Sequence, residues 1–98
     1  MGGITAAQKI AALCQANDVT VIPHAGQMHN YHITMASYAG PMSEYFPKVP
    51  VEVGNELFWY IFDGEAEAKN GYINLSDTAP GFGLKIKNPD PKNFKLTR

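Results

Sequence analysis

The order of apolar patterns predicts an α/β fold built on a parallel sheet. Three observations predict it. A helical stripe near the N-terminus gives way, after a two-residue loop, to a wholly apolar β-branched run. A second helical window and a second, very short β-run follow. Each β-run ends on an ionisable residue, His24 in the first and Glu44 in the second.

The first helix is expected to open at Thr5, with Gln8 reaching back as the partner in a capping box. Ile10, Leu13 and Cys14, with Ala6 and Ala7, form its apolar stripe, and it should stop near Ala16 and Asn17. Val19, Thr20, Val21 and Ile22 then read as a strand buried on both faces, with Pro23 and His24 at its C-terminal end. The second helix is predicted from about Met28 to Ala39, closed by Gly40 and Pro41. Met42, Ser43, Glu44 and Tyr45 make the short second strand.

The character of the chain changes at Pro47. Pro47, Pro50 and Gly54 punctuate it, and the densest aromatic stretch runs from Leu57 through Trp59 to Phe62. Residues 64–69 read as an exposed turn. Asn70 and Gly71 introduce a hairpin-like strand start over residues 72–75. The glycines of Pro80-Gly81-Phe82-Gly83 lack the spacing of a phosphate loop, so they read as turns before an alternating strand at residues 84–87. Asn88 onward is expected to be an irregular tail.

A chain of 98 residues makes at most one small domain, burying about 60–65% of its unfolded surface. With 45% hydrophobic and 17% charged residues and a formal net charge of −1, it has no electrostatic reason to bind nucleic acid. Lys85, Lys87, Lys92, Lys95 and Arg98 against Asp90 read as a solvated tail. Cys14 is the single cysteine, which excludes an intrachain disulfide, and a buried inert thiol is expected. No run reaches the roughly 18 apolar residues that span a bilayer, and no signal peptide is visible. A cytoplasmic protein without membrane association is expected.

His24 is the sharpest chemical signal. The carboxyl ends of parallel strands face the active site in α/β folds, and histidine titrates near neutrality, so His24 is a candidate general base. The alternative is a histidine that bonds a loop carbonyl. Glu44, at the next predicted strand end, would point into the same cavity and could donate a hydrogen bond if kept protonated. The alternative there is a surface carboxylate. His24, His29 and His32 could in principle hold zinc, but their spacing matches no established zinc pattern and the first lies on a different element. No metal ligand is assigned.

These residues in this order resemble the C-terminal part of the enolase superfamily, in the mandelate racemase subgroup, on the side of the L-rhamnonate dehydratases. The stretches that carry the likeness are Gly2-Gly3-Ile4-Thr5, Ile10-Ala11-Ala12-Leu13 and Val21-Ile22-Pro23-His24. His32, Pro41, Ser43-Glu44-Tyr45-Phe46 and the stretch from Asn70-Gly71 to Pro80-Gly81-Phe82-Gly83 also fit. The resemblance implies a fragment of a (β/α)8 barrel: helix 6, strand 7, helix 7 and strand 8 in residues 1–46. Residues 47–98 would pack on the capping domain. It also implies a Mg²⁺-assisted lyase reaction on an acid sugar, in which a base takes the proton beside the carboxylate and water is eliminated to a 2-keto-3-deoxy acid. His24 matches the base, and Glu44 the acid that binds the substrate carboxylate.

The aspartate that partners the base in that family, and its three acidic Mg²⁺ ligands, would lie upstream of Met1. The isolated chain is therefore expected to be an inactive segment that binds no Mg²⁺ by itself. The alternative is a noncatalytic assembly or binding module derived from a truncated barrel. A homo-oligomer is expected on either reading, because strands cut from a barrel leave open edges.

Overall fold

Helix formation in this chain starts at a glycine in a backbone conformation that other residues adopt only at a cost. The computed structural model describes residues 2–50 and 57–87. Helix α1 runs Gly3–Ala16, and the residue before it, Gly2, sits at φ 94° with no side-chain cap. Thr5, expected as the N-cap, therefore lies inside the first turn. Gly2 without a Cβ reaches the left-handed region at little cost and starts the helix three residues earlier.

The C-terminus of α1 falls where expected, but through a different residue. Asp18, not Asn17, carries the left-handed φ of 55°. Its N–H reaches the Gln15 carbonyl at 3.3 Å while Val19 N–H reaches Cys14 at 2.9 Å, the paired bonds of a Schellman motif. Asn17 adds a side-chain bond from Nδ2 to the Leu13 carbonyl at 2.8 Å.

α1 packs on helix α2 (Gln27–Met35) through its small residues. Ala7 and Ala11, one turn apart, are buried, whereas Ile10 and Leu13 stay exposed. The predicted apolar stripe is thus split: its alanine side lets the helices approach, and its larger side is left open. α2 ends four residues earlier than the expected Ala39. Ser37 ends it, because its Oγ accepts the Ala39 N–H at 3.1 Å and its carbonyl accepts Gly40 N–H at 3.3 Å.

The two parallel strands expected at residues 19–22 and 42–45 are not formed. A strand exists by its ladder, and here Val21 N–H donates to the Ala39 carbonyl at 2.9 Å without a ladder following among the described residues. Val19 and Ile22 are both about half exposed rather than buried on two faces. The two segments run side by side as extended chain.

Beyond Pro47 the aromatic stretch folds as a short helix α3 (Leu57–Ile61) that buries Trp59 and runs directly into strand β1 (Phe62–Asp63). β1 pairs antiparallel with β2 (Lys85–Ile86) in the register Phe62 with Ile86 and Asp63 with Lys85. The alternating run at residues 84–87 thus forms its strand, though short and exposed. Residues 72–75 do not: Asn70 and Gly71, at φ 52° and 80°, make the expected tight turn, but pairing stops at the Lys69–Tyr72 bridge. Gly54 and the tail from Asn88 lie outside the described residues.

The core gathers at α2. Met28 and Tyr31 are buried with Ala7, Ala11, Ala39 and Trp59, and Gln27 is fully buried among them. Among the described residues no helix is long and apolar enough to cross a membrane.

Candidate functional site

His24 ends the extended segment and begins a tight turn into α2. Three consecutive residues in that turn adopt left-handed backbone: Ala25 at φ 51°, Gly26 at 74° and Gln27 at 41°. For Ala and Gln this conformation costs of order 1–3 kcal/mol each, so the surroundings must impose it. They do so with side chains. Asn30 Nδ2 donates to the carbonyls of His24, at 3.1 Å, and Ala25. It fills the space above Gly26 so closely that a Cβ there would lie 2.3 Å from the amide nitrogen. Gln27 Nε2 donates to the Phe46 carbonyl at 3.0 Å, and Gln27 Oε1 accepts from Tyr31 Oη one helical turn on.

Across from the turn, Glu44 supplies one carboxylate oxygen to two donors. Its Oε2 lies 2.8 Å from His24 Nδ1 and accepts the Ala25 N–H at 2.6 Å. The His24 ring also meets Phe46 edge-on, with centroids 6.3 Å apart. The two residues singled out by sequence are therefore in direct contact, although they project from extended segments rather than from strands of a sheet. The pair is open to solvent, with 86% of the His24 side chain and 38% of the Glu44 side chain exposed. A neutral imidazole that donates from Nδ1 keeps its Nε2 lone pair free to accept a proton.

His29 and His32 go elsewhere. His29 packs on Phe82 and Phe62, at 4.6 and 5.9 Å between centroids, and His32 packs on Phe82 at 5.5 Å. A three-histidine zinc site is not assembled, because two of the rings serve as aromatic packing for the loop that carries Phe82. Mg²⁺ takes about six oxygen ligands in near-octahedral order. Among the described residues no three His, Cys, Asp or Glu side chains converge, so they do not make up such a site.

Sequence reasoning missed three residues here: Gln27, Asn30 and Glu65. Glu65, on the segment expected as an exposed turn, accepts the N–H of Met28 in the first turn of α2 at 3.3 Å. Its other oxygen is buried without a partner among the described residues, as is Nε2 of His32. Burial raises the Glu65 carboxyl above the ordinary carboxylate range, and the Met28 hydrogen bond offsets part of that rise. The one signal in the sequence was Gln27 itself, a polar residue one turn before Tyr31 on the helix face that also carries Met28.

The family model described as enolase C-terminal domain-like matches residues 1–90. The chain belongs to the enolase C-terminal domain-like family. That family has an α/β barrel-type fold, and membership agrees with the resemblance read from the Pro23-His24 and Ser43-Glu44-Tyr45-Phe46 stretches. Over 91 residues the chain is also 33% identical to an L-rhamnonate dehydratase of Saccharopolyspora erythraea. The matched stretch covers 91% of this chain and 23% of that relative, so this enolase-family chain spans under a quarter of the relative's length.

Proposed function

We propose that the chain is the C-terminal segment of a Mg²⁺-dependent acid-sugar dehydratase of the L-rhamnonate type. On this reading residues 1–46 contribute helix 6, strand 7, helix 7 and strand 8 of the (β/α)8 barrel, and residues 47–98 return to the capping domain. The observation that carries the reading is the 2.8 Å contact between His24 Nδ1 and Glu44 Oε2, made by an imidazole that is otherwise largely open to solvent. The 33% identity to a dehydratase supports the substrate class.

His24 Nε2 would take the proton from the carbon beside the substrate carboxylate, while Glu44 Oε2 holds the ring through Nδ1. The β-hydroxyl leaves as water by taking the proton that the His24 imidazolium would carry, which returns the base to its neutral form. The enol that remains tautomerises to the 2-keto-3-deoxy acid. Glu44, as the acid at the eighth strand end, would also contact the substrate carboxylate. The acidic ligands of the cation and the aspartate partner of the base would come from other strands of the parent barrel. The isolated chain is accordingly expected to show no turnover of L-rhamnonate, even with excess Mg²⁺.

The test is a chimera in which this chain replaces the corresponding segment of the Saccharopolyspora erythraea enzyme. Dehydration of L-rhamnonate that is abolished by His24→Ala, by about 10³-fold or more, is the expected result. A folded chimera inactive on L-rhamnonate and related acid sugars, or activity that survives His24→Ala, would refute the proposal.

A second reading, a noncatalytic assembly module, is favoured by one observation. Ile10, Leu13, Val19 and Ile22 are all exposed large apolar residues on α1 and the chain that follows it.

A further inference from the structure

We propose that Gln27 is a positioning residue for His24: its buried amide latches the turn that sets the imidazole, Nδ1 first, on Glu44. The argument starts from burial. Gln27 is the one polar side chain fully buried among the described residues, and both ends of its amide are engaged. The donor end holds the Phe46 carbonyl, two residues past Glu44. The acceptor end is held by Tyr31, which is itself 2% exposed and fixed in α2.

Two extended segments are thereby joined at two points. His24 meets Glu44 at one, and Gln27 meets Phe46 at the other. The chain between these points is the run of left-handed residues from Ala25 to Gln27, which L side chains rarely adopt unaided. Asn30 braces this turn from α2, but it bonds carbonyls of the turn alone and does not reach the opposite segment. Among the described residues, the side-chain bonds that cross between the turn and residues 44–46 come from Glu44 and Gln27. Glu44 is partly open to water, so on its own it could swing away. Gln27 is not.

Gln27 therefore acts on His24 through the backbone, without touching it. With the latch in place, the imidazole is presented with Nδ1 to Glu44, and Nε2 is the nitrogen left for a proton. This goes beyond the dehydratase reading: that reading gives the ring nitrogen its use, but the latch stands or falls without turnover.

The experiment is a long-range ¹H–¹⁵N histidine spectrum of the ¹⁵N-labelled 98-residue chain, recorded where the imidazoles are neutral. In the wild type His24 is expected to be protonated on Nδ1. In Gln27→Met, which keeps the volume and removes both bonds, the Nδ1–H population of His24 should fall severalfold. His29 and His32, whose rings pack against Phe82, should keep their signals. A folded Gln27→Met chain in which His24 keeps its tautomer would overturn the proposal, as would one in which all three histidines change together. Should Gln27→Met not fold, Gln27→Glu is read in the same way. It keeps the acceptor for Tyr31 and turns the donor at Phe46 into a repelling oxygen.

Discussion

With 86% of its side chain in solvent, His24 can be removed at little cost to the fold, whereas Glu44 cannot. His24→Ala is expected to change the unfolding free energy by no more than about 0.5 kcal/mol. Glu44→Ala leaves the Ala25 N–H without its acceptor in a strained turn, and about 1–2 kcal/mol should be lost. Urea titrations of the two variants check this, and equal losses would contradict it. Glu65 gives a pH dependence of definite sign. Its carboxyl is raised by burial, so the folded chain holds that proton more tightly than the unfolded chain does. Its contribution to stability therefore declines as pH rises from the ordinary carboxylate range through the raised folded value, and is flat above it. Glu65→Gln keeps an oxygen for Met28 N–H and never ionises. It should raise Tm at pH 7 and remove that decline. A melt that is unchanged across pH 4–8 in both proteins would count against this account of Glu65. The meeting of His24 with Glu44 was expected from their places toward the ends of two β-runs, and they do meet, although neither run forms a strand. Asn30 and Glu65 were not legible from sequence, because their bonds go to backbone carbonyls and N–H groups, which leave no mark at the other end of the contact. Gln27 showed its Tyr31 partner one turn on, but its bond across to the Phe46 carbonyl was hidden for the same reason.

Helices α1 and α2 were legible because a helix closes its bonds within four residues. What sequence misplaced were the start of α1 and the end of α2, where Gly2 acts through its conformation and Ser37 through a single hydroxyl. The strands were not legible in the same way, since a β-branched run states a preference and only a partner supplies the ladder. Residues 19–22 have the composition of a buried strand and lack the neighbours. The antiparallel pair β1 and β2 formed instead, because the chain folds back on itself between Asp63 and Lys85. One glycine permits that return. Gly64, at φ 97°, approaches the Gly83 carbonyl so closely that a Cβ would sit 2.3 Å from its oxygen. Neither partner in that contact is a movable side chain. Gly64→Ala is expected to destabilise the β1–β2 pair by about 1–3 kcal/mol and to abolish amide-exchange protection at Lys87, whose N–H reaches the Ile61 carbonyl at 2.8 Å. Gly71→Ala, where a Cβ would meet nothing within 4 Å, should cost about 1 kcal/mol and leave Lys87 protected.

At the scale of the molecule, the core is small and the apolar surface is not. Leu13, Val19, Ile22 and Met35 are each more than half exposed, and the segment from residue 19 to residue 22 presents backbone groups without a ladder. Apolar patches and open edges of this kind recruit other chains. We propose that the chain assembles into a homo-oligomer through this face. Light scattering should give a multiple of 10.7 kDa at micromolar concentration, and Val19→Lys with Leu13→Lys should return the monomer. A cooperatively folding wild-type monomer would defeat the proposal and with it the assembly-module reading.

The carbonyl of Phe46 receives both Gln27 Nε2, at 3.0 Å, and Trp59 Nε1, at 3.1 Å, so one peptide oxygen ties together α2, α3 and the segment that carries Glu44. Two donors on one oxygen weaken the C=O double bond, and the amide I stretch moves to lower frequency. A ¹³C label at the Phe46 carbonyl would therefore isolate a single infrared band whose position reads how many of the three segments are docked. On warming, that band would climb in two steps if the helices leave separately and in one step if they leave together.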